Sequence, residues 1–221
     1  MRRPRGPRPR LSRDRVVAAA LDILQAEGTS GVTMARVAEA VDASPMSLYR
    51  HVRGREELLE SMLDELLERL DFDLPQGRAW QRNVRAWMEN VRDHFLEHPQ
   101  ILSLIEFEPG SYMSPPWIRA CGTLVGPVRS AGFEGEALAR ALLWISRNAL
   151  GTLLQEIAGP IADRGALLGG VARLAPEDAA VWVDVLPDLG RMDDDGYFQT
   201  VVDETIRTLE RWLEESEGNT T

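Results

Sequence analysis

The chain has 221 residues, 44% of them hydrophobic, enough for one extended helical domain or two small ones with a real core. It carries 25 arginines, no lysine and 35 acids, a net charge of −10, and is therefore not a general polyanion binder. One cysteine excludes an internal disulfide and fits a reducing compartment. No run of 18 uninterrupted apolar residues offers a membrane span and the first residues lack a signal-peptide core, so a cytoplasmic protein with no membrane partner is expected.

The charge is unevenly spread. Residues 1–55 hold 11 arginines against 5 acids, and residues 56–221 hold 14 against 30. This is the footprint of a small DNA-reading module attached to a larger domain with another task. The lack of lysine fits the coding bias of a GC-rich genome and carries no functional reading. In chain order, Met1–Arg10 alternates Arg with Pro and Gly, a composition that stays disordered when free. It is either a solubilising tail or an arm along the phosphate backbone or minor groove. Its place directly before a DNA module favours the arm.

Ser12 is a helix cap, and Val16, Val17, Ala20, Leu21 and Leu24 recur at helical spacing until Gly28. Thr33 opens a second, capped helix with Val37, Ala38 and Val41 on one face. After a turn at Val41–Ala43, Ser44 caps a very short helix with Pro45 in its first position, running at most to about His51 before Gly54. Such a helix does not persist alone. Two helices joined in this way make a helix-turn-helix, whose second helix can enter a DNA major groove. The polar tips of Ser44, Ser47, Tyr49, Arg50, His51 and Arg55 would then face the duplex.

The spacing predicts a long helix from Glu56 to Leu70, ended by Pro75 and Gly77, and another over Arg78–Glu97 with Trp80, Val84, Trp87, Met88, Val91 and Phe95 along one face. Ile101–Phe107 reads as a short apolar helix, and Pro109, Gly110, Pro115 and Pro116 as a turn-rich connection. Trp117–Ala131 reads as one helix weakened by Gly122, Gly126 and Pro127. Glu134–Ile157 is apolar nearly all round and needs partners on more than one side. Residues 160–196 are mixed, with a short helix near Pro176–Leu186 and an acidic loop at Asp193–Gly196. Tyr197–Glu215 closes the chain as a helix with Phe198, Val202, Ile206, Leu209 and Leu213 on one face. No strand pattern and no repeat is present. The fold class is all-α: an N-terminal three-helix DNA-binding head and a C-terminal helical body. The boundaries are 1–11 for the arm, 12–55 for the head and 56–221 for the body.

Several residue groups invite a sharper chemistry. His94 and His98 stand four apart with Glu97 between, but no third ligand is near and Pro99 ends the helix, so no metal and no cofactor is expected. The chain has no Gly-rich phosphate loop and no Gly-x-Ser-x-Gly elbow. Trp80, Trp87, Trp117, Trp144 and Trp182 lie in the body, as does Trp212, beside glycines that can leave room for an apolar or aromatic ligand. The spacing suggests a pocket lined by Trp87, Met88, Val91, Phe95, Leu102, Ile105, Trp117, Cys121, Trp144 and Asn148. Ordinary core packing explains the same pattern, and Cys121 reads first as a small core residue. Arg147, Asn148, Gln155 and Glu156 either orient a ligand or face solvent or a dimer partner.

The residues Leu21–Leu24, Gly28, Gly31–Thr33, Val37–Ala38, Leu48–Val52 and Arg55–Leu59 together resemble the TetR family of bacterial regulators over roughly residues 12–67. The Leu-Tyr-x-His-Val segment is most similar to its tetracycline-repressor-like branch. The resemblance implies an all-helical homodimer with a DNA head and a ligand-binding, dimerising body. It implies phosphate contact by Thr33, and phosphate or base contact by Arg36. It implies a recognition helix from Ser44 to His51 with base contacts at Pro45, Met46 and Ser47, phosphate contacts at Tyr49 and His51, and a further phosphate contact at Arg55. Leu48 and Val52 should face inward. Met46 can touch a thymine methyl but carries no bidentate donor pair, so readout would lean on Ser47, Arg50, Arg36 and DNA shape. The expected function is a homodimeric, ligand-responsive repressor on palindromic operator DNA, released by an apolar or aromatic small molecule, and not an enzyme. The alternative is a helical small-molecule-binding protein or enzyme with an incidental helix-turn-helix head.

Overall fold

Every regular element among the described residues of this computed structural model, 10–70, 74, 79–107, 114–159 and 164–218, is an α-helix. The arm residues 1–9, Pro75, Gly77, Pro109, Gly110 and Pro160 lie outside the described residues. Two units are formed, one from residues 1–70 and 98–119, the other from 71–97 and 120–221.

In the first unit, α1 (Arg13–Gly31) starts at Ser12, whose Oγ accepts from Arg15 N at 3.3 Å. Val16, Val17, Ala20, Ile23 and Leu24 form its buried face. The helix breaks at Gly28, whose φ of 71° is open to glycine and costly for side chains with a Cβ, and one more turn runs to Gly31. The expected stop at Gly28 is therefore a kink. α2 (Met34–Ala40) is capped by Thr33, whose Oγ1 accepts from Arg36 N at 3.2 Å, and buries Val37 and Ala38. The following turn is closed by Ala43 N donating to Ala38 O at 2.9 Å. Asp42 adopts φ 54°, a left-handed conformation that Asp tolerates better than most.

α3 (Pro45–Leu48) is shorter than the spacing suggested. Residues 49–51 form a turn, with His51 N and Val52 N both bonded to Leu48 O. Ser44 stands at the N-cap position but makes no cap bond; its Oγ lies 2.9 Å from Ser47 Oγ instead. α4 (Arg55–Glu68) buries Leu58, Leu59, Met62, Leu63, Leu66 and Leu67. It packs on α1. After α5 (Trp80–Glu97), which belongs to the second unit, α6 (Gln100–Phe107) packs on both α1 and α4. The core of the first unit thus gathers around α1.

The expected single helix over Trp117–Ala131 is two: α7 (Pro115–Gly122) and α8 (Val125–Ser130). Pro115 and Pro116 open α7 rather than lying in a turn, because the first helical turn needs no N–H partner. The break follows Gly122, where Thr123 turns its hydroxyl back onto Ala120 O at 2.7 Å. α9 (Gly135–Ala158) is the long apolar helix, and Leu138, Ala141, Ile145, Ala149 and Leu153 are its buried face. Leu143, Trp144 and Leu154 point outward, 56%, 40% and 42% exposed. α10 (Arg164–Val171), α11 (Pro176–Ala180) and α12 (Leu186–Leu189) follow, so one expected short helix is split and another is added.

α13 (Asp194–Gly218) begins inside the acidic run read as a loop. Asp193 Oδ1 accepts from Gly196 N at 2.7 Å, the geometry of an N-cap, and Asp194 and Asp195 sit in the first turn, where the helix dipole favours acids. The second unit's core forms where α5 packs on α8, α9 and α13. Val84, Trp87, Met88, Val91 and Phe95 meet there with Ile145, Leu153, Phe198, Val202 and Leu209, all essentially buried.

Candidate functional site

The head presents its candidate residues through the burial of two others. Leu48 and Val52 are 0% and 1% exposed and fix the rotation of the recognition segment. Ser44, Pro45, Met46, Tyr49 and Arg50 are then exposed, with Ser47 and His51 half-buried beside them. Thr33 and Arg36 are exposed at the start of α2. All of these belong to the first unit, on the recognition segment and on α2, which packs against α3.

The arginines of the head divide by what they hold. Arg15 Nη2 donates to Val41 O at 3.2 Å and braces the turn before α3. Arg13 Nη2 donates to Ser61 Oγ at 2.7 Å. Arg55, expected to face phosphate, donates from Nε to Val32 O and from Nη2 to Thr29 O, both at 2.8 Å, and so ties α4 to the end of α1. Arg36 is gripped by Glu27 at 2.8 Å and Glu39 at 3.0 Å, which raise its already high pKa. A cleft of about 640 Å³ at the start of α4 holds Arg13, Arg53 and Arg55, but Glu56, Glu57 and Glu60 line it too and balance their charge.

Arg15 was not singled out from sequence. Its signal was available only as an arginine in the first turn of a helix whose partner lies 26 residues away.

The candidate effector-lining residues fall in both units. Trp87, Met88, Val91, Phe95, Cys121, Trp144 and Asn148 belong to the second; Leu102, Ile105 and Trp117 belong to the first. Trp87, Met88, Val91 and Phe95 share the buried face of α5, and Trp87 Nε1 donates to Ala120 O at 2.9 Å. Trp144 turns outward and meets Trp212 edge to face at 5.6 Å between ring centres. Asn148 Nδ2 bonds its own helix at Trp144 O, 2.8 Å away. Cys121 is half-buried, and burial pushes its thiol up to about 11, which keeps it protonated and unreactive at neutral pH.

Sequence reasoning missed the main polar node of this unit. Arg92 on α5 makes a two-pronged pair with Glu156 on α9, Nε to Oε2 at 2.9 Å and Nη2 to Oε1 at 2.8 Å. Its Nη1 reaches Asp195 on α13 at 2.6 Å, and its guanidinium lies 4.8 Å from the ring centre of Phe198. Glu156, read as a possible ligand-orienting group, is therefore committed to Arg92. The available signal was a lone arginine between Val91 and Phe95, beside the apolar stripe. Among the described residues no three of His, Cys, Asp and Glu are placed to hold a metal ion, and no helix is long and apolar enough to cross a membrane.

Residues 16–62 match the profile of bacterial regulatory proteins of the tetR family. The HTH-type transcriptional repressor DrrR1 of Streptomyces coeruleorubidus is 31% identical over 194 residues, covering 86% of this chain and 68% of that protein. The class E tetracycline repressor protein of Escherichia coli is 28% identical over 152 residues, 67% of this chain and 70% of its own. Among solved structures, apo ActR of Streptomyces coelicolor shares the fold with a TM-score of 0.76 over 93% of this chain and 98% of its own, at 24% identity. ActR in complex with actinorhodin gives the same TM-score over 93% and 99%.

Proposed function

Because this chain belongs to the tetR family of bacterial regulatory proteins, we propose that it is a homodimeric repressor released from a palindromic operator by an apolar or aromatic small molecule. It is a DNA-binding transcriptional regulator by family. The observation that supports DNA contact by the head is the recognition segment, with Leu48 and Val52 sealed inward and Met46, Tyr49 and Arg50 turned out. The outward Leu143, Trp144 and Leu154 of α9 support a second copy, since one helix should not leave three large apolar side chains to water. Two helices from each subunit, α9 and α13, would make a four-helix bundle. ActR, whose fold this chain shares, is known in complex with actinorhodin and with (S)-DNPA, which supports a small-molecule ligand for this chain. The proposed ligand contacts are on the α5 face of Trp87, Met88, Val91 and Phe95, which the core of the second unit buries here, so binding must displace part of that packing.

The mechanism follows from linkage. Two heads must meet successive major grooves about 34 Å apart. An effector that fits better when the heads are out of that register draws the population to the state that does not bind DNA. Light scattering at micromolar concentration should give twice the chain's 24.7 kDa. The full-length protein should retain, from sheared DNA of its source genome, fragments that share a short inverted repeat, and an apolar ligand that quenches tryptophan fluorescence should release them. A monomer mass, or retention of all fragments alike, would remove this reading. Tyr49→Phe should weaken every duplex by the same factor, because a phosphate contact positions the head without reading sequence. A change in sequence preference from that variant would show that Tyr49 faces a base.

A further inference from the structure

Helix α5 buries one polar side chain that the fold leaves unsatisfied. Asn83 is 5% exposed, and among the described residues no hydrogen-bond donor reaches its Oδ1. Other polar groups of α5 are engaged: Gln81 donates to Glu210, Arg85 to Asp203 and Gln199, and Arg92 to Glu156 and Asp195. A buried acceptor without a donor costs stability, so its retention calls for a partner that the folded chain does not itself supply. Its position says what that partner is. Asn83 precedes Trp87, Val91 and Phe95 at successive intervals of four, and so ends the apolar stripe on which the effector contacts are proposed. The Trp87 indole N–H is already given to Ala120 O. Asn83 to Val91 covers about 12 Å of helix axis, the length of a small fused-ring aromatic. A molecule entering there displaces apolar packing, and a hydrogen bond to Asn83 offsets part of that cost.

We propose that Asn83 is the polar anchor of the effector site, its amide oxygen accepting a hydrogen bond from a hydroxyl at one end of an aromatic ligand. The inference rests on the effector reading above and deepens it: the ligand class is a phenol, and not a plain hydrocarbon or an ether. The buried amide sets this specificity, because a ligand without a donor leaves Asn83 Oδ1 unpaired in a site that the ligand has closed to water.

The test is calorimetric titration of the full-length protein with 2-naphthol, 2-methoxynaphthalene and naphthalene, which share a ring system and differ in the donor. 2-Naphthol should bind about tenfold more tightly than its methyl ether, the factor for one hydrogen bond to a buried acceptor. In Asn83→Leu, which keeps the volume and removes the acceptor, 2-naphthol and the ether should bind alike. The loss should fall on 2-naphthol and leave naphthalene unchanged, a split that a merely structural role for Asn83 would not produce. Asn83→Ala should lose the same preference without requiring a branched side chain to fit, and an unchanged circular dichroism spectrum shows that a variant has folded. Wild-type protein that binds 2-naphthol and the ether equally, or a folded Asn83 variant that keeps the preference, overturns this inference alone. Failure of all three compounds to bind up to their solubility limits overturns the effector reading of this α5 face with it.

Discussion

Trp87→Ala should destabilise the protein by about 4 kcal/mol, read as a lower urea midpoint with little change in slope. The ring is fully buried on α5, and no part of its loss can be made up by solvent. Two costs combine. A large cavity is left among Val84, Val91 and the facing helices, and Ala120 O loses the indole N–H at 2.9 Å while keeping the Thr123 hydroxyl at 2.7 Å. Trp87→Phe separates them: it keeps most of the ring volume and loses the bond, and should cost about 1–2 kcal/mol. A loss below about 1 kcal/mol for Trp87→Ala would show that this face is already loosely packed. The pair also decides how effector assays are read. If the small molecule sits on this face of α5, Trp87→Phe should change its affinity in a protein that remains folded, whereas Trp87→Ala confounds binding with stability.

What the sequence made legible is what local rules decide. The caps Ser12 and Thr33 were readable because an N-cap bond spans three residues, as Arg15 N and Arg36 N confirm. The inward Leu48 and Val52 came from the family resemblance and not from spacing, and both are buried. The start of α13 was missed although its signal was equally local: three aspartates in a row were read as a solvated loop, when the first is a cap and the other two face the helix dipole. The prolines before Trp117 were misread for a related reason, since a proline pair marks a turn or a helix start with the same letters.

The fate of the arginines was not legible, and the reason is reach. An arginine head lies several bonds from its backbone, so its partner is chosen by tertiary packing and not by spacing. Arg55 occupies the place where the family resemblance implies a phosphate contact, yet its guanidinium here binds the carbonyls of Thr29 and Val32. Charge counted from sequence gives the sign of a surface; it does not give which arginines are free to act on a partner. Arg13 and Arg15 add to the positive balance of the head while spending their donors on Ser61 and Val41.

The same reasoning sets the second large effect, Arg92→Ala, which should cost about 3–5 kcal/mol. The Arg92 and Glu156 side chains are 11% and 10% exposed, so their pairing is little screened by water. Removing the arginine strands Glu156 in a nearly dry site and leaves Asp195, 79% exposed, to solvent at small cost. Removing charge from both sides should behave differently. Arg92→Met with Glu156→Leu leaves no stranded ion and should recover most of the stability, because buried ion pairs repay little more than their own desolvation. The double-mutant cycle in urea therefore separates a costly orphan from a stabilising pair. The location gives the result a functional edge. Arg92 joins α5, the proposed effector face, to α9 and α13, the proposed subunit bundle, and its guanidinium also rests on Phe198 at the root of α13. If the node transmits effector binding to the bundle, the neutral double variant should fold and dimerise and yet show a weaker drop in operator affinity on adding the ligand. Arg92→Ala with a loss under about 1 kcal/mol would show that the three helices are held by their apolar faces alone, and the coupling would then have to run through Trp87 and its neighbours on α5.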